Sequence, residues 1–303
     1  MTPAEPVPGM TVSRARVAPI DAVFFLVPAV WGLNFIVIKA ALHQFASPQS
    51  FNAVRWILAT GVLAGAVAVR GDSLRVATRD WGKILLIAGF GNVVQQLTFI
   101  NGITLTTAGH SALILGLSPV MVALASAAFG LEEISRRTWA GVAFCFLGLV
   151  VLMRPGAEPA ARAGLTGDLL MLVSAACWAL YSLVSRRLTL VYSPTAITAV
   201  TMAIAAGVLV VIGLPALHAQ SWSGIRWSGW AGLLYSGGLT IAVAYLAWGV
   251  AIRRIGAART AVLSNLTPVV ALVAAWVLLG ERLDAEQMLG AGLVIAGIAL
   301  TRR

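Results

Sequence analysis

The longest stretch without a charged side chain runs from Ile84 to Leu131. It is more than twice as long as the about 20 residues that a helix needs to cross a bilayer core. It therefore predicts two membrane spans, joined by a tight turn near 101–107. The whole chain agrees, because 59% of its 303 residues are hydrophobic and only 11% are charged, whereas soluble domains carry about 25% charged residues. The predicted class is an all-α integral membrane protein.

Charged residues divide the rest of the sequence into further blocks of similar length, which brings the number of predicted spans to ten. The stretch 84–131 holds spans 3 and 4. The other predicted spans are span 1 at 22–38, span 2 at 49–69, span 5 at 138–153, span 6 at 169–185, span 7 at 194–217, span 8 at 227–252, span 9 at 260–280 and span 10 at 287–301.

The sequence also contains an internal duplication. A shift of 147 residues places Trp31 on Trp178, and a shift of 149 places the Leu-Ser-Pro-Val run at 117–120 on the Leu-Thr-Pro-Val run at 266–269. The same larger shift places Gly148 on Gly297. Repeats of this length are too long for a solenoid, so they indicate a duplicated domain.

We expect the two repeats at 19–154 and 165–303, separated by an outer linker at 155–164. Each repeat carries five spans. Because five is odd, the second repeat must enter the membrane in the opposite orientation. The predicted fold is ten transmembrane helices arranged as two inverted five-helix repeats.

The distribution of positive charge predicts the orientation. With the amino terminus inside, fifteen of the 21 Lys and Arg residues fall in inner loops and tails, and only four fall in outer loops. This asymmetry follows the positive-inside rule and places both termini in the cytoplasm. It also accounts for the net charge of +10 without a nucleic-acid partner. Residues 1–18 are expected to form a disordered cytoplasmic tail, the competing interpretation being a cleaved signal peptide.

Inverted repeats are typical of secondary transporters, in which two related halves give inward-facing and outward-facing states around one central site. The alternative from the repeat alone is a duplicated scaffold without transport.

Several motifs in order resemble the EamA-type members of the drug/metabolite transporter superfamily. They are W-G-L-N-F-I-V-I-K at 31–39, A-V-R-W at 53–56, L-S-P-V-M-V-A-L at 117–124 and L-T-P-V-V-A-L at 266–272. The resemblance implies a ten-helix inner-membrane carrier that exports amino acids or related metabolites. A flippase for lipids or lipid-linked sugars, or a small-molecule drug exporter, remains the alternative on this fold. The chain departs from the small multidrug members, which carry a glutamate within their first helix, because here Asp21 lies at the inner end of span one.

Polar and aromatic residues recur at corresponding positions of both halves, which favours a shared polar cavity over isolated interhelical hydrogen bonds. Arg55 is expected to face the bundle, where it either holds backbone carbonyl groups or meets a substrate carboxylate. The expected substrate-binding residues are Trp31, Asn34, Arg55, Gln96, Tyr181, Tyr245, Trp248 and Asn265. Pro119 and Pro268 are expected hinges or passive kinks, because each removes a backbone hydrogen bond within a span.

Other chemistry-bearing residues receive simpler expectations. Lys39 either snorkels to the headgroups or faces the bundle. Asp21, Asp168, Glu132 and Glu281 are expected to cap helix starts, and His43, His110 and His218 to be solvated on the outer side. Cys145 and Cys177 lie in apolar runs, so no disulfide or metal is expected. No cofactor and no enzymatic cluster are predicted. The expected partners are membrane lipid and a small solute, and small residues at Gly141, Cys145, Gly292 and Ala296 would allow a homodimer.

Overall fold

The computed structural model describes residues 19–118, 120–121, 124–125, 135–152, 159–248, 266–281 and 284–300. These residues form helices and turns, with no β-strand among them. We number the helices α1 Pro19–Leu42, α2 Pro48–Arg70, α3 Thr78–Leu105, α4 Ala108–Leu115, α5 Arg136–Leu152, α6 Pro159–Thr189, α7 Pro194–Ala219, α8 Trp227–Trp248, α9 Leu266–Leu279 and α10 Ala285–Leu300.

The helices agree with the uncharged blocks of the sequence. Within the described residues, five helices are long and apolar enough to cross a membrane: α2, α3, the Gly164–Thr189 part of α6, α7 and α8. Shorter apolar helices cover Leu26–Leu42, Trp139–Val151, Thr267–Leu279 and Met288–Leu300. The tight turn predicted near 101–107 is confirmed, since α3 ends at Leu105 and α4 begins at Ala108.

Local sequence explains where several helices begin and end. Ser47 caps α2, because its Oγ accepts a hydrogen bond from the Gln49 N–H at 3.2 Å, and Pro48 fits the first helical position. Gly71 ends the same helix with φ of 65°, a left-handed conformation that favours glycine. Thr107 caps α4 through the N–H of His110.

The start of α6 differs from the predicted linker at 155–164. The helix begins at Pro159, so 159–164 belong to it. The reason is local: proline suits a first helical turn, and the following Ala-Ala-Arg-Ala run has high helix propensity. Asp168 consequently lies within α6 and does not cap its start, which makes the capping expectation for this residue wrong.

Hydrogen bonds between helix ends define two ends of the bundle. At the first, the Lys39 end, Lys39 Nζ donates to the Thr106 carbonyl at 2.7 Å and to Glu281 Oε1 at 3.2 Å. At the opposite, Tyr192 end, the Tyr192 hydroxyl accepts from the Ala77 N–H at 3.2 Å and donates to an Asp80 carboxylate oxygen at 2.8 Å. Each end therefore joins loops from the first part of the chain to loops from the second.

Interhelical packing follows a limited set of pairs. The most extensive contacts join α5 to α10, α2 to α7, α3 to α6 and α1 to α9. Further contacts join α2 to α8, α3 to α7, α1 to α8, α4 to α6 and α4 to α9. Large apolar side chains such as Val69, Phe146 and Val211 are exposed on the outside of this bundle, as expected for surfaces that face lipid.

Glycines set the closest approach between α5 and α10. A Cβ built on Gly148 would lie 2.6 Å from the Gly290 carbonyl oxygen, and one on Gly297 would lie 2.6 Å from the Gly141 carbonyl oxygen. Gly141 and Cys145 are therefore used inside the chain, which corrects the expectation that they offer a dimer surface. Gly292 has open space around it, and the homodimer stays a prediction.

Two helices contain π-helical segments, Ile87–Val94 in α3 and Leu234–Val243 in α8. Such segments are rare and occur frequently at functional sites. Their starts are separated by the 147-residue shift that relates the two halves of the sequence. Both segments lie beside the polar and aromatic residues described next.

Candidate functional site

Arg55 is the most deeply buried cation of the described residues, with 1% of its surface exposed. It lies seven residues after Pro48, which is about 10 Å from the start of α2 at 1.5 Å per residue. Its Nε donates to Asn52 Oδ1 at 2.9 Å and its Nη1 to Ser236 Oγ at 2.9 Å. The remaining terminal nitrogen, Nη2, donates to Gln96 Oε1. The guanidinium thereby joins α2, α3 and α8.

A second set of hydrogen bonds extends this arrangement to α6. Gln96 Nε2 donates to Gln95 Oε1 at 2.6 Å, and Gln95 Nε2 donates to Ser174 Oγ at 3.0 Å. We call Asn52, Arg55, Gln95, Gln96, Ser174 and Ser236 the arginine network. It links four helices, two from each half of the sequence, through side chains alone.

The charge of Arg55 is not neutralised by an acid in the part of the chain that the structure describes. All three acceptors are neutral, and no described carboxylate oxygen lies within 4.0 Å of the guanidinium. The rings of Phe51 and Phe99 lie 5.7 and 5.6 Å from its central carbon, a cation–π distance that gives partial compensation. A guanidinium has five N–H donors, so these three bonds leave two for an incoming acceptor.

Five aromatic rings from α1, α6 and α8 form one cluster next to the arginine network. Trp31 lies at its centre, with ring centroids 6.0 Å from Trp178, 6.1 Å from Tyr245 and 4.9 Å from Trp248. Tyr181 stacks on Trp178 at 5.3 Å. We call these five residues the aromatic cluster.

Backbone and helix geometry connect the two groups. Trp31 Nε1 donates to the Thr240 carbonyl at 3.2 Å, and Thr240 lies one helical turn from Ser236 of the arginine network. On α6, Trp178 lies one turn from Ser174, about 6 Å along the axis. The cluster and the network are therefore adjacent layers within the same group of helices.

Four buried side chains in these helices have polar atoms without a hydrogen-bond partner among the described residues, one of them Trp56 at Nε1 in α2. The other three are Asn34 at Oδ1, Asn92 at both Oδ1 and Nδ2, and Thr240 at Oγ1. Asn92 and Thr240 lie in the two π-helical segments. Because an unpaired buried polar group costs about 1–3 kcal/mol, such atoms are candidates to be satisfied by a ligand or water.

The structure brings most of the predicted site residues together. Trp31, Tyr181, Tyr245 and Trp248 meet in the aromatic cluster, and Arg55 and Gln96 are hydrogen-bonded in the arginine network. Asn34 is buried one turn along α1 from Trp31. Asn265 and Pro119 lie outside the described residues. Pro268 is buried near Gly116, but the turn before it, which would show a hinge, also lies outside them.

Sequence reasoning missed four members of the arginine network: Asn52, Gln95, Ser174 and Ser236. Trp178 could have been added to the predicted site, because it is the repeat counterpart of Trp31. Asn52 lies three residues before Arg55 on the same helix, a spacing that places their side chains side by side. No comparable signal identified Ser236, since its role depends on how α2 crosses α8.

The Lys39 end corrects two further expectations and bears on the two alternatives for Lys39. His110 is buried and not solvated, and its Nδ1 lies 3.2 Å from Asp168 Oδ2. Of the two alternatives for Lys39, the structure favours the bundle, because Glu281 and the Thr106 carbonyl bind its ammonium group. Glu281 caps α4 and not the following helix, since its carboxylate accepts the N–H groups of Ala108 and Gly109, at 3.0 and 3.2 Å.

Comparison with known proteins identifies the family. The sequence model of the EamA-like transporter family matches residues 19–154 and again residues 165–303. The chain belongs to the EamA-like transporter family. The resemblance found in the motifs is thereby confirmed, and this EamA-like chain is a multi-pass membrane protein of a transporter family.

Relatives match nearly the whole chain. The "Uncharacterized transporter YyaM" of Bacillus subtilis is 29% identical over 88% of this chain and 88% of its own length. A "Probable amino-acid metabolite efflux pump" of Salmonella typhimurium is 29% identical over 90% of this chain and 91% of its own. A "Probable terminal-alkyne amino-acid exporter" of Streptantibioticus cattleyicolor is 28% identical over 81% and 80%.

A solved crystal structure has the same fold. It superposes with a TM-score of 0.64 at 18% sequence identity, and the match covers 94% of this EamA-like chain and 98% of the other. At this identity the similarity concerns the fold alone.

Proposed function

We propose that this EamA-like protein is a secondary transporter of the inner membrane that exports carboxylate-bearing, amino-acid-like metabolites. The observation that carries the proposal is Arg55, a buried cation that three neutral side chains hold in place while its charge has no described acidic partner. A substrate carboxylate would supply the missing negative charge. The proposed binding residues are Trp31, Asn34, Arg55, Gln96, Tyr181, Tyr245 and Trp248.

Alternating access requires two halves that can exchange roles, and we propose an inverted pair at 19–154 and 165–303. The packing supports this. If each helix is exchanged with the one five places away in the numbering, the α1–α9 contact becomes the α6–α4 contact, and α2–α8 becomes α7–α3. The α5–α10 and α2–α7 contacts map onto themselves, as expected for helices on a twofold axis.

Two finer features support the same exchange. A shift of 149 turns the Gly148–Gly290 contact into the contact between Gly297 and Gly141. The π-helical segments also fall at matched positions in α3 and α8. A substrate between these halves would contact equivalent helices of both, which is the arrangement expected of a fixed central site.

The proposed orientation has both termini in the cytoplasm and the Lys39 end outside. Support comes from charge: Arg70, Arg75, Arg79 and Lys83 all lie in or near the loop that contacts Tyr192. The positive-inside rule assigns such a loop to the cytoplasm.

The site also suggests how an amino acid would be held. Its carboxylate would face Arg55. The side-chain oxygen atoms Asn34 Oδ1 and Thr240 Oγ1, which have no described partner, suit an ammonium group. The aromatic cluster would contact an apolar or aromatic side chain. The names of two relatives, an amino-acid metabolite efflux pump and an amino-acid exporter, agree with this class.

Reconstituted efflux tests the proposal. Proteoliposomes loaded with single radiolabelled amino acids should release at least one of them faster than protein-free liposomes, and the release should fall in the Arg55→Met variant. In parallel, fluorescent phospholipids should not be scrambled between leaflets. Lipid scrambling without amino-acid release would replace the proposal by the flippase alternative.

A further inference from the structure

Asn92 lies at the middle of α3, 14 residues after the start of the helix at Thr78 and 13 before its end at Leu105. At 1.5 Å per residue, it is about 20 Å from either end. Its side chain is 1% exposed, and neither Oδ1 nor Nδ2 has a hydrogen-bond partner among the described residues. A complete carboxamide group is therefore buried without a described partner at the depth where transporters bind their substrates.

The neighbours of Asn92 show which way its side chain points, because successive residues of a helix are about 100° apart. Gly91 faces α6, since a Cβ built on it would lie 2.9 Å from Tyr181 Cβ. On the other side of Asn92, Val93 belongs to a core cluster shared with α2 and α7. Phe90, which points away from Asn92, is 54% exposed. Asn92 therefore points into the bundle, between α6 and α2.

The same direction leads to the proposed substrate site. Gln96 lies four residues further along α3 and on the same side of the helix, and its Oε1 accepts a hydrogen bond from Arg55. Asn92 is at the level of the aromatic cluster, since the adjacent Gly91 packs against Tyr181. A solute whose carboxylate faces Arg55 would reach Asn92 by extending about 6 Å along the helix axis.

Packing between helices does not account for this side chain. An unpaired buried amide destabilises the empty protein, whereas an apolar side chain of the same shape would not. Asn101, on the same helix, shows the contrast. Its Nδ2 donates to the Leu97 carbonyl at 2.7 Å, and its Oδ1 accepts a hydrogen bond from Gln49 Nε2 at 2.9 Å. Asn101 joins α3 to α2, and Asn92 makes no such bond in the described part of the chain.

We propose that Asn92 is a specificity-determining residue that selects amino-acid solutes carrying a carboxamide group, such as the side-chain amide of glutamine. An amide presents an acceptor and a donor side by side, as Asn92 does, so the two groups can form a pair of N–H···O hydrogen bonds. A thioether or aliphatic side chain would leave both groups of Asn92 unpaired, and a site of this kind rejects such solutes.

The length of glutamine suits the two contacts. Four carbon–carbon bonds of about 1.5 Å separate its carboxylate carbon from its amide carbon, which places these atoms about 5 Å apart when the chain is extended. This is close to the axial distance between Gln96, which binds Arg55, and Asn92. The inference rests on the proposed function, because it takes the solute of that site as the partner of Asn92.

The test compares glutamine with methionine, whose side chain has a similar length and no amide. Dissociation constants are measured on the purified full-length protein in detergent by quenching of tryptophan fluorescence. Asn92→Leu keeps the shape of the side chain and removes both hydrogen-bonding groups. The preference for glutamine over methionine, expressed as the ratio of the two Kd values, should fall at least about tenfold in this variant, because two hydrogen bonds are lost.

Thermal melting without solute separates solute recognition from a structural role. Asn92→Leu should melt at the same temperature as the unaltered protein or at a higher one, because it removes an unpaired buried amide. The matched control Asn101→Leu should melt at a lower temperature, because it loses two hydrogen bonds, one of them between helices. This control should keep the original ratio of Kd values.

An unchanged ratio in Asn92→Leu would overturn the proposal. A lower melting temperature for this variant would also overturn it, because the amide would then hold helices together. If the intact protein binds other amino acids but not glutamine, the inference fails and the proposed function stands. Decarboxylated glutamine tests the converse: if Arg55→Met leaves the preference for glutamine over this amine unchanged while Asn92→Leu loses the amide preference, the proposed function fails and the role of Asn92 stands.

Discussion

Replacing Arg55 by methionine should abolish discrimination between a carboxylate-bearing solute and its decarboxylated analogue. Methionine keeps a long, unbranched side chain but removes the charge and all five N–H donors of arginine. Asn52, Gln96 and Ser236 would then keep their positions on three helices without a cation between them. The change therefore removes the proposed carboxylate ligand while the aromatic cluster stays intact.

The size of the effect follows from the free donors. Arg55 has two N–H groups left after its three side-chain bonds. Hydrogen bonds to charged groups contribute about 1.5–3 kcal/mol each. Two such bonds amount to at least about 3 kcal/mol, which corresponds to a loss of affinity of about 100-fold or more. An amine that lacks the carboxylate has no such bonds to lose.

The assay compares matched pairs, such as phenylalanine and phenethylamine, by quenching of tryptophan fluorescence in detergent. Lys39→Met serves as the control, because it removes a cation that Glu281 already neutralises. Arg55→Lys should keep part of the preference, since it retains charge without the fork of donors. Thermal melting will show whether the Arg55→Met variant is folded. If the folded variant still prefers the carboxylate-bearing solute by the original factor, the guanidinium does not bind the carboxylate and the proposed site is wrong.

Three further outcomes are expected. Gly297→Ala should lower the free energy of unfolding by about 1–3 kcal/mol, because the added Cβ would lie 2.6 Å from the Gly141 carbonyl oxygen. The control Gly292→Ala should leave stability unchanged, because Gly292 has open space around it. Equal melting curves for the two variants would contradict the contact between α5 and α10. Tyr245→Phe should reduce export several-fold at unchanged stability, because the solute loses a hydrogen bond of about 1 kcal/mol while the packing of the ring remains. Lower stability with normal export per folded molecule would assign the residue to packing alone. A cysteine at Ala160 should react with an impermeant reagent on intact cells, and protection there would argue against the proposed orientation.

The sequence alone was sufficient for the family and for the positions of the helices. Hydrophobic length and charge are local properties, so the uncharged blocks located α2, α7 and α8 to within a few residues. The duplication carried more information, because residues at matched positions of two related halves must meet if the halves share a site. For this reason Trp31, Tyr181 and Tyr245 could be assigned to one site before their contacts were known.

Only the tertiary structure decided which polar side chains meet. Asp168 was expected to cap the start of a helix and His110 to be solvated on the outer side, yet the early start of α6 and the turn at Thr106 bury them against each other. Likewise, no sequence rule joins Arg55 to Ser236, which is 181 residues away. The physical reason is that hydropathy reports how far a helix extends through lipid. Which of its faces meets another helix depends on crossing angles and close glycine contacts, and these are set by the whole bundle.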